Sequence, residues 1–564
     1  MALSRKNCNF ADENKNGDSK LCNTKEKKVM KYPIGIQSFE DIITNGFVYV
    51  DKTALIYKLV TEGKIYFLSR PRRFGKSLLL STLDCYFRGR KELFKGLAVE
   101  KLEKEWTEYP VFRIDFNGCN FSNKGELEQR LLVNITSWEQ EFGRHPNTDA
   151  LGDRFAYVLQ QAHQKTGRKA VVLIDEYDKP LLDVIDQPHL YYTLDGGEKM
   201  SFEEHNRNVL KGFYSVFKLV DEHLRFVLLT GVTKFSQISV FSGFNQPEDI
   251  SSDKDYEALC GITKEEMLSV FKEPIGELAA KYEVSYEEMV AKLEKQYDGY
   301  HFGEGMVGIF NPFSLLNCFK KNTIDNYWFA SGTPTYLVRL LQHNHEHINE
   351  LVGKYYSASE FVNYKADVEK PLPMIYQSGY LTIKAYNPRR DSYLLDFPNA
   401  EVRQGFVDVL ASGYFKGPYP YSSSWLEGIS DALEAGDVDL FMKKMTSLLA
   451  STTYRFHHKN DPIDSERYFH YTFYLILQMI GKYNTMVEKE TSEGRIDCVI
   501  ECPEQVYILE FKLNGSAEEA LRQIEEKGYA KPYAADTRPL HLIGINFTSD
   551  KGNIEAFQHR LNTI

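Results

Sequence analysis

A lysine and a serine stand side by side at Lys76 and Ser77, closing the run RPRRFGKS that begins at Arg70. The apolar stretch KIYFLS precedes this run and SLLLSTLDCYF follows it, so a strand, a loop and a helix start meet at Gly75. In that setting backbone N–H groups and the positive end of the helix cradle phosphate oxygens. The lysine reaches the β and γ oxygens, and the serine hydroxyl serves a Mg²⁺ ion. The usual pattern opens on glycine, and Arg70 stands there instead. Arg70, Arg72 and Arg73 then add positive charge where a polyphosphate would lie.

Glycine-lysine-serine alone is common by chance, so a second feature has to accompany it. The run KAVVLIDEYDKP delivers Asp175 and Glu176 to the C-terminal end of an apolar strand. In P-loop ATPases such an aspartate holds the Mg²⁺ shell, and such a glutamate polarises the attacking water. A third strand, LRFVLLTGVTKFS, ends in Thr230 and Thr233. These suit a γ-phosphate sensor, and ordinary turn chemistry accounts for them equally well.

A separate set of groups lies near the C-terminus. GRIDCVIE places Asp497 on one strand, and VYILEFKL follows after a turn at Pro503 and Glu504. Glu510 and Lys512 share one face of the second strand, while Leu509 and Phe511 take the other. A hairpin brings Asp497 beside Glu510. Two carboxylates and a lysine on one face can hold a hard cation such as Mg²⁺ and orient water toward a phosphate. A solvent-facing ion pair would leave the same residues in the sequence.

The elements around these groups indicate what positions them. Between about Tyr32 and Tyr256 short β-rich runs alternate with helical patterns, which predicts βαβ units and a mostly parallel buried sheet. From Lys264 the periodicity is helical, as in ITKEEMLSVFKEPIGELAAKY. The expected division is a disordered lead-in over 1–31, an ATPase-type domain over 32–263, a helical lid over 264–370 and an α/β domain of restriction-endonuclease type over 371–564.

At 564 residues the chain exceeds one hydrophobic core. Its net charge of −11 argues against a wholly basic surface, yet a local positive groove remains compatible with nucleic acid. The eight cysteines form no CxxC pair and no zinc-finger spacing with histidine, so reduced thiols are expected. No apolar run approaches the ~20 residues of a membrane span. The polar start lacks the apolar segment of a signal peptide, which predicts a cytoplasmic protein.

Two patterns are set aside. Gly303, Gly305 and Gly308 fit a dinucleotide fingerprint but lack the preceding strand and following helix. His343, His345 and His347 diverge around an expected helix and read as a solvated face.

The segments YPIGIQSFEDII, YVDKTALIYKLV, FLSRPRRFGKSLLLSTLDCYF, LIDEYDKPL, YDGYHFG, NPFSLLN and YWFASG, in this order, resemble the bacterial AAA-ATPase-like proteins. In those an ATPase module precedes a nuclease-like domain of the PD-(D/E)XK superfamily. The resemblance implies Walker-type roles for Lys76, Ser77, Asp175 and Glu176, with ATP and Mg²⁺ as cofactors, and it makes arginine at position 70 ordinary. It also makes Asp497, Glu510 and Lys512 the nuclease residues, with Ile496 where the motif's name has proline. Gln523, in the next helix, is where the superfamily often carries a glutamine. Glu466 is where a glutamate commonly completes the metal site, although a helix-start acid is a simple alternative.

The expectation is thus an ATP-hydrolysing module coupled to a Mg²⁺-dependent nuclease acting on nucleic acid, DNA ahead of RNA. Assembly of several copies, one lending an arginine to the next, is compatible with it. A nucleotide-dependent switch carrying an inactive nuclease-like domain is the rival.

Overall fold

The computed structural model describes residues 30–562, apart from 186, 188, 195, 235–246, 331–350, 363–370, 415–422, 452–472, 475, 479, 481–483, 492–493 and 549–552. Most of the expected lead-in and the three histidines at 343–347 therefore lie outside the described residues.

The first sheet is parallel and runs Val111–Asp115, Ala170–Asp175, Leu224–Gly231, Ile65–Ser69, Glu248–Asp249. Every residue of Ala170–Asp175 is buried, as a strand covered by helices on both faces requires. The strand carrying the phosphate loop lies beside the one that holds Thr230, and that strand in turn pairs with the one ending in Asp175. All three deliver their C-terminal ends to one edge, where ligands of open α/β sheets bind.

A helical unit follows, with a core formed by residues such as Ile262, Met267, Phe271, Leu293 and Phe319. Its helices are punctuated by their own sequence. Thr263 with Glu266, and Ser285 with Glu288, form reciprocal capping boxes at Lys264–Val270 and Tyr286–Tyr297. Asn311 caps Pro312–Lys321, with proline at the start where no N–H is missed.

The expected boundary at 370/371 does not coincide with a break in packing. Leu372, Ile375, Tyr380, Leu381, Leu395 and Phe406 all join the core of the first sheet. Strand Lys354–Tyr356 also departs from the helical expectation. It pairs with Ser392–Asp396, which pairs with Thr382–Asn387. Long-range pairing decides such short aromatic runs, and local periodicity is blind to it.

The C-terminal sheet is mixed, in the order Asn484–Thr491, Gly494–Glu501, Val506–Leu513, Leu540–Thr548, Asn553–Asn562. Only the pair Val506–Leu513 and Leu540–Thr548 is parallel, and the helix Ala517–Glu526 makes that crossover. A second core, including Leu509, Phe511, Ile543 and Phe547, fills one face of this sheet. Cys498 and Cys502 sit in that core as free thiols, and burial pushes both thiols up.

Candidate active sites

The phosphate loop leaves its strand at Ser69 and enters the helix Lys76–Phe87 through Gly75, whose φ of 95° is left-handed. A Cβ there would meet nothing within 4 Å, so backbone conformation alone calls for glycine. Lys76 is 4% exposed. Its Nζ donates to the carbonyls of Arg70 (3.1 Å) and Pro71 (3.3 Å) and lies 3.4 Å from Glu176 Oε1. Lys76, Ser77, Arg73 and Glu176 all face one cavity of about 510 Å³.

Behind that wall the carboxylates are tied to the neighbouring strand. Thr230 Oγ1 donates to Asp175 Oδ1 at 2.8 Å, and both residues are fully buried. Burial pushes the Asp175 carboxyl up, opposed by hydrogen bonds from Ser77 and Thr230. Asp178 is buried too, and its carboxyl is likewise pushed up by burial. Its Oδ2 accepts from Val232 N (3.0 Å), Thr233 N (2.6 Å) and Thr233 Oγ1 (2.7 Å). Tyr177 adds a bond from its hydroxyl to Thr233 O at 2.9 Å.

Two assignments change at this point. Arg70 does not face the cavity; its guanidinium is 1% exposed and donates to carbonyls of Ser69, Ser251, Tyr256 and Glu257. It also stacks over Phe302 at 4.1 Å. The first loop position thus turns inward and braces the loop from behind. Thr230 likewise spends its hydroxyl on Asp175 and does not line the cavity. Arg73 is exposed at the cavity and lies over the Phe313 ring at 5.2 Å.

The remaining cavity wall was not readable from motif chemistry. It includes the segment Pro33–Gln37, ahead of the first strand, and Pro312, Phe313 and Leu316, far beyond the last strand of this sheet, together with Asn117, Leu182 and Asp183. A smaller apolar hollow of about 100 Å³ shares Pro33, Gly75, Leu78, Pro312 and Leu316 with it. The motifs YPIGIQ and NPFSLL were the signal, with no chemistry attached to them. Gly303 and Gly305 serve packing instead of a dinucleotide, since a Cβ on either would stand within 3 Å of the buried Glu257 carboxylate.

In the C-terminal sheet the ladder of the two strands ends at the pair Cys498 and Leu509, whose chain neighbours are Asp497 and Glu510. Asp497 and Glu510 are 8% and 1% exposed. Asp497 Oδ2 accepts from Phe511 N at 2.8 Å, which fixes it across the hairpin. Lys512 Nζ lies 3.9 Å from Glu510 Oε1, and the Gln523 side-chain amide donates to the same oxygen. Tyr529 hydrogen-bonds Gln523, and Gly494, at φ 148°, lets the Tyr529 hydroxyl approach to 3.1 Å of where a Cβ would stand. Asp497, Glu510, Lys512 and Gln523 are therefore brought together. Glu466 lies outside the described residues.

Two buried carboxylates with hard oxygen donors fit a Mg²⁺ ion, which takes one or two carboxylates and completes its shell with water and substrate phosphate. Among the described residues no group of three or more His, Cys, Asp or Glu forms a metal cluster. At the phosphate loop, Ser77 hydrogen-bonds Asp175, a hydroxyl–carboxylate pair whose chemistry fits a nucleotide-bound Mg²⁺.

Comparison with known proteins agrees with this division. Residues 33–241 match the family model described as predicted AAA-ATPase, and 464–557 match the PD-(D/E)XK nuclease superfamily. An uncharacterised protein in the vnfD 5′ region of Azotobacter chroococcum mcd 1 is 35% identical over 535 residues, 93% of this chain and 98% of that protein. The chain belongs to the AAA-ATPase-like family and carries a PD-(D/E)XK nuclease-superfamily region toward its C-terminus. Among solved structures, the Aeropyrum pernix ORC1 protein in complex with DNA overlaps 64% of this chain and 93% of its own at 10% identity. The TM-score of that overlap is 0.22, so the strand order, and not this likeness, defines the fold. No helix among the described residues is long and apolar enough to cross a membrane.

Proposed function

We propose that the protein binds and hydrolyses ATP at the Lys76 loop and cleaves nucleic acid, DNA ahead of RNA, at the Asp497–Glu510–Lys512 site. The observation that supports it best is the convergence of Asp497, Glu510, Lys512 and Gln523 on one point of the second sheet, in a chain whose first sheet gathers Lys76, Ser77, Asp175 and Glu176.

At the first site Gly75 N–H, Lys76 and Arg73 would hold the phosphates, with Ser77 and Asp175 on the Mg²⁺ side. Glu176, 20% exposed at the cavity and beside Lys76, would polarise the attacking water. The two neighbouring hollows would offer a nucleotide charged groups at the loop and an apolar wall near Pro33 and Leu316.

At the second site Asp497 and Glu510 would hold Mg²⁺, which supplies charge for the phosphate and acidifies a water molecule. Lys512 offers a positive Nζ on the same face, suited to orienting that water or the phosphate. Gln523 holds Glu510 from the neighbouring helix. The exposed Arg495, on the strand of Asp497, adds positive charge near the site in a chain of net charge −11.

The test is cleavage of single- and double-stranded DNA and RNA in Mg²⁺ or Mn²⁺, with and without ATP. Native protein is compared with Lys512→Ala and Lys76→Ala. Cleavage by native protein that Lys512→Ala abolishes is the expected result, with ATP hydrolysis lost only in Lys76→Ala. If nothing is cut while ATP is still turned over, the nuclease half of the reading falls and a nucleotide-dependent binding protein takes its place.

A further inference from the structure

The motifs YDGYHFG and YWFASG have no place in either site, yet both touch the phosphate loop. The Trp328 indole N–H donates to the Arg72 carbonyl at 3.1 Å. Tyr300 packs edge-on against Phe74, with ring centroids 4.8 Å apart. Trp328, Tyr300 and Phe74 do not line the cavity themselves, whereas Arg72 does.

Both contacts lead to the start of one helix, Ala400–Tyr414. The backbone N–H of Trp328 donates to Glu401 Oε1 at 2.7 Å, and Glu401 is fully buried. Two residues before Tyr300, the Asp298 carbonyl accepts from Asn399 Nδ2 at 2.9 Å, while Asn399 Oδ1 accepts from Val402 N and so caps the helix. Lys384 Nζ clasps the carbonyls of Gly299 (3.1 Å) and Pro398 (2.6 Å).

The same helix is shared between two cores. Val402 and Phe406 pack in the core of the first sheet, and the next residue, Val407, packs in the core of the C-terminal sheet. That second core holds Leu509 and Phe511, the inward neighbours of Glu510 and Lys512. Densely packed cores respond to a shift of one element by moving together.

We propose that the helix Ala400–Tyr414 transmits the nucleotide state of the phosphate loop to the core behind Glu510 and Lys512, with Glu401 and Trp328 as the residues that position it. This rests on the reading of the Lys76 loop as a nucleotide site. Neither residue touches the reacting atoms, so each acts by fixing the helix to the loop.

Hydrogen exchange of the full chain, with and without Mg²⁺ and the non-hydrolysable analogue AMP-PNP, tests this. In the native protein the analogue slows exchange in peptides covering 70–77, 400–414 and 506–513. In Glu401→Ala and Trp328→Phe the slowing at 70–77 persists, and the slowing at 400–414 and 506–513 is lost. Glu401→Gln keeps an acceptor for Trp328 N–H and retains all three. A merely structural role would raise exchange equally with and without analogue and leave the difference unchanged. If both variants keep the distal slowing, or if native protein responds only at 70–77, the relay is overturned. If native protein shows no response at 70–77, the nucleotide reading itself fails, and that outcome is distinct from the others. Trp328→Phe, a ring-for-ring change, keeps the test decisive should Glu401→Ala not fold.

Discussion

Thr230 donates its hydroxyl to the Asp175 carboxylate across 2.8 Å, joining the ends of two neighbouring parallel strands inside the protein. Burial already pushes that carboxyl up, and the Thr230 bond is one of the interactions holding it down. Thr230→Val deletes the bond at nearly constant volume. The expected cost is about 1–2 kcal/mol of stability, with the acid limb of the ATP-turnover profile moved to higher pH. Thr230→Ser should restore the profile. An unmoved acid limb in Thr230→Val would show that Asp175 does not depend on this bond.

Asp178 holds the turn after the strand Leu224–Gly231. One carboxylate oxygen serves three donors on Val232 and Thr233. Asp178→Ala leaves these donors buried without their acceptor, and a loss of about 3 kcal/mol or more is expected in denaturant unfolding. Asp178→Asn retains an oxygen and should lose less. Equal losses for the two would indicate that the hydrogen bonds contribute little.

Much of this was legible in the sequence, and the physical reason differs from place to place. The strands ending in Asp175 and Thr230 are continuous apolar runs, and the hairpin of Asp497 and Glu510 is two such runs around a short turn; local pattern suffices for both. Arg70 misleads because charge in a phosphate loop suggests ligand contact. Whether an arginine faces the cavity or the interior depends on carbonyls at Ser251, Tyr256 and Glu257, remote in sequence. The contribution of Phe313 and Trp328 to the loop's surroundings was hidden for the same reason. Helix Ala400–Tyr414 contributes to two cores, and no composition change marks such a residue pair as Phe406 and Val407.

Glu401 gives the fold a pH dependence whose sign follows from its burial. Burial pushes its carboxyl from an ordinary 4.5 up to about 7, with nearby Asp325 adding to the rise and hydrogen bonds from Ser314, Trp328 and Tyr327 opposing it. The folded state keeps this proton while the unfolded chain releases it. Stability from this group is therefore full below pH ~4.5, falls as pH rises toward ~7, and levels off above, by on the order of 3 kcal/mol in total. Glu401→Gln cannot ionise and should flatten the stability curve over that window. Parallel curves for the two proteins between pH 5 and 7 would rule the assignment out.

The carboxylate pair on the C-terminal sheet offers a test that needs no substrate. A site that binds Mg²⁺ or Mn²⁺ only when folded gains stability by mass action, about 2.7 kcal/mol when the ion is at a hundredfold excess over its dissociation constant. Asp497 is anchored by Phe511 N–H, and Glu510 by Gln523, so each carboxylate is held in one orientation before any ion arrives. Raising Mn²⁺ should therefore slow hydrogen exchange in peptides spanning 494–513 of the native chain. Asp497→Asn should abolish that response. Gln523→Ala should weaken it, because Glu510 loses the partner that orients it. Lys512→Ala, which removes no oxygen donor and relieves the ion of a neighbouring positive charge, should bind Mn²⁺ at least as well while failing to cut. A chain that shows no metal response in any of these proteins would carry the strands of a nuclease without its chemistry.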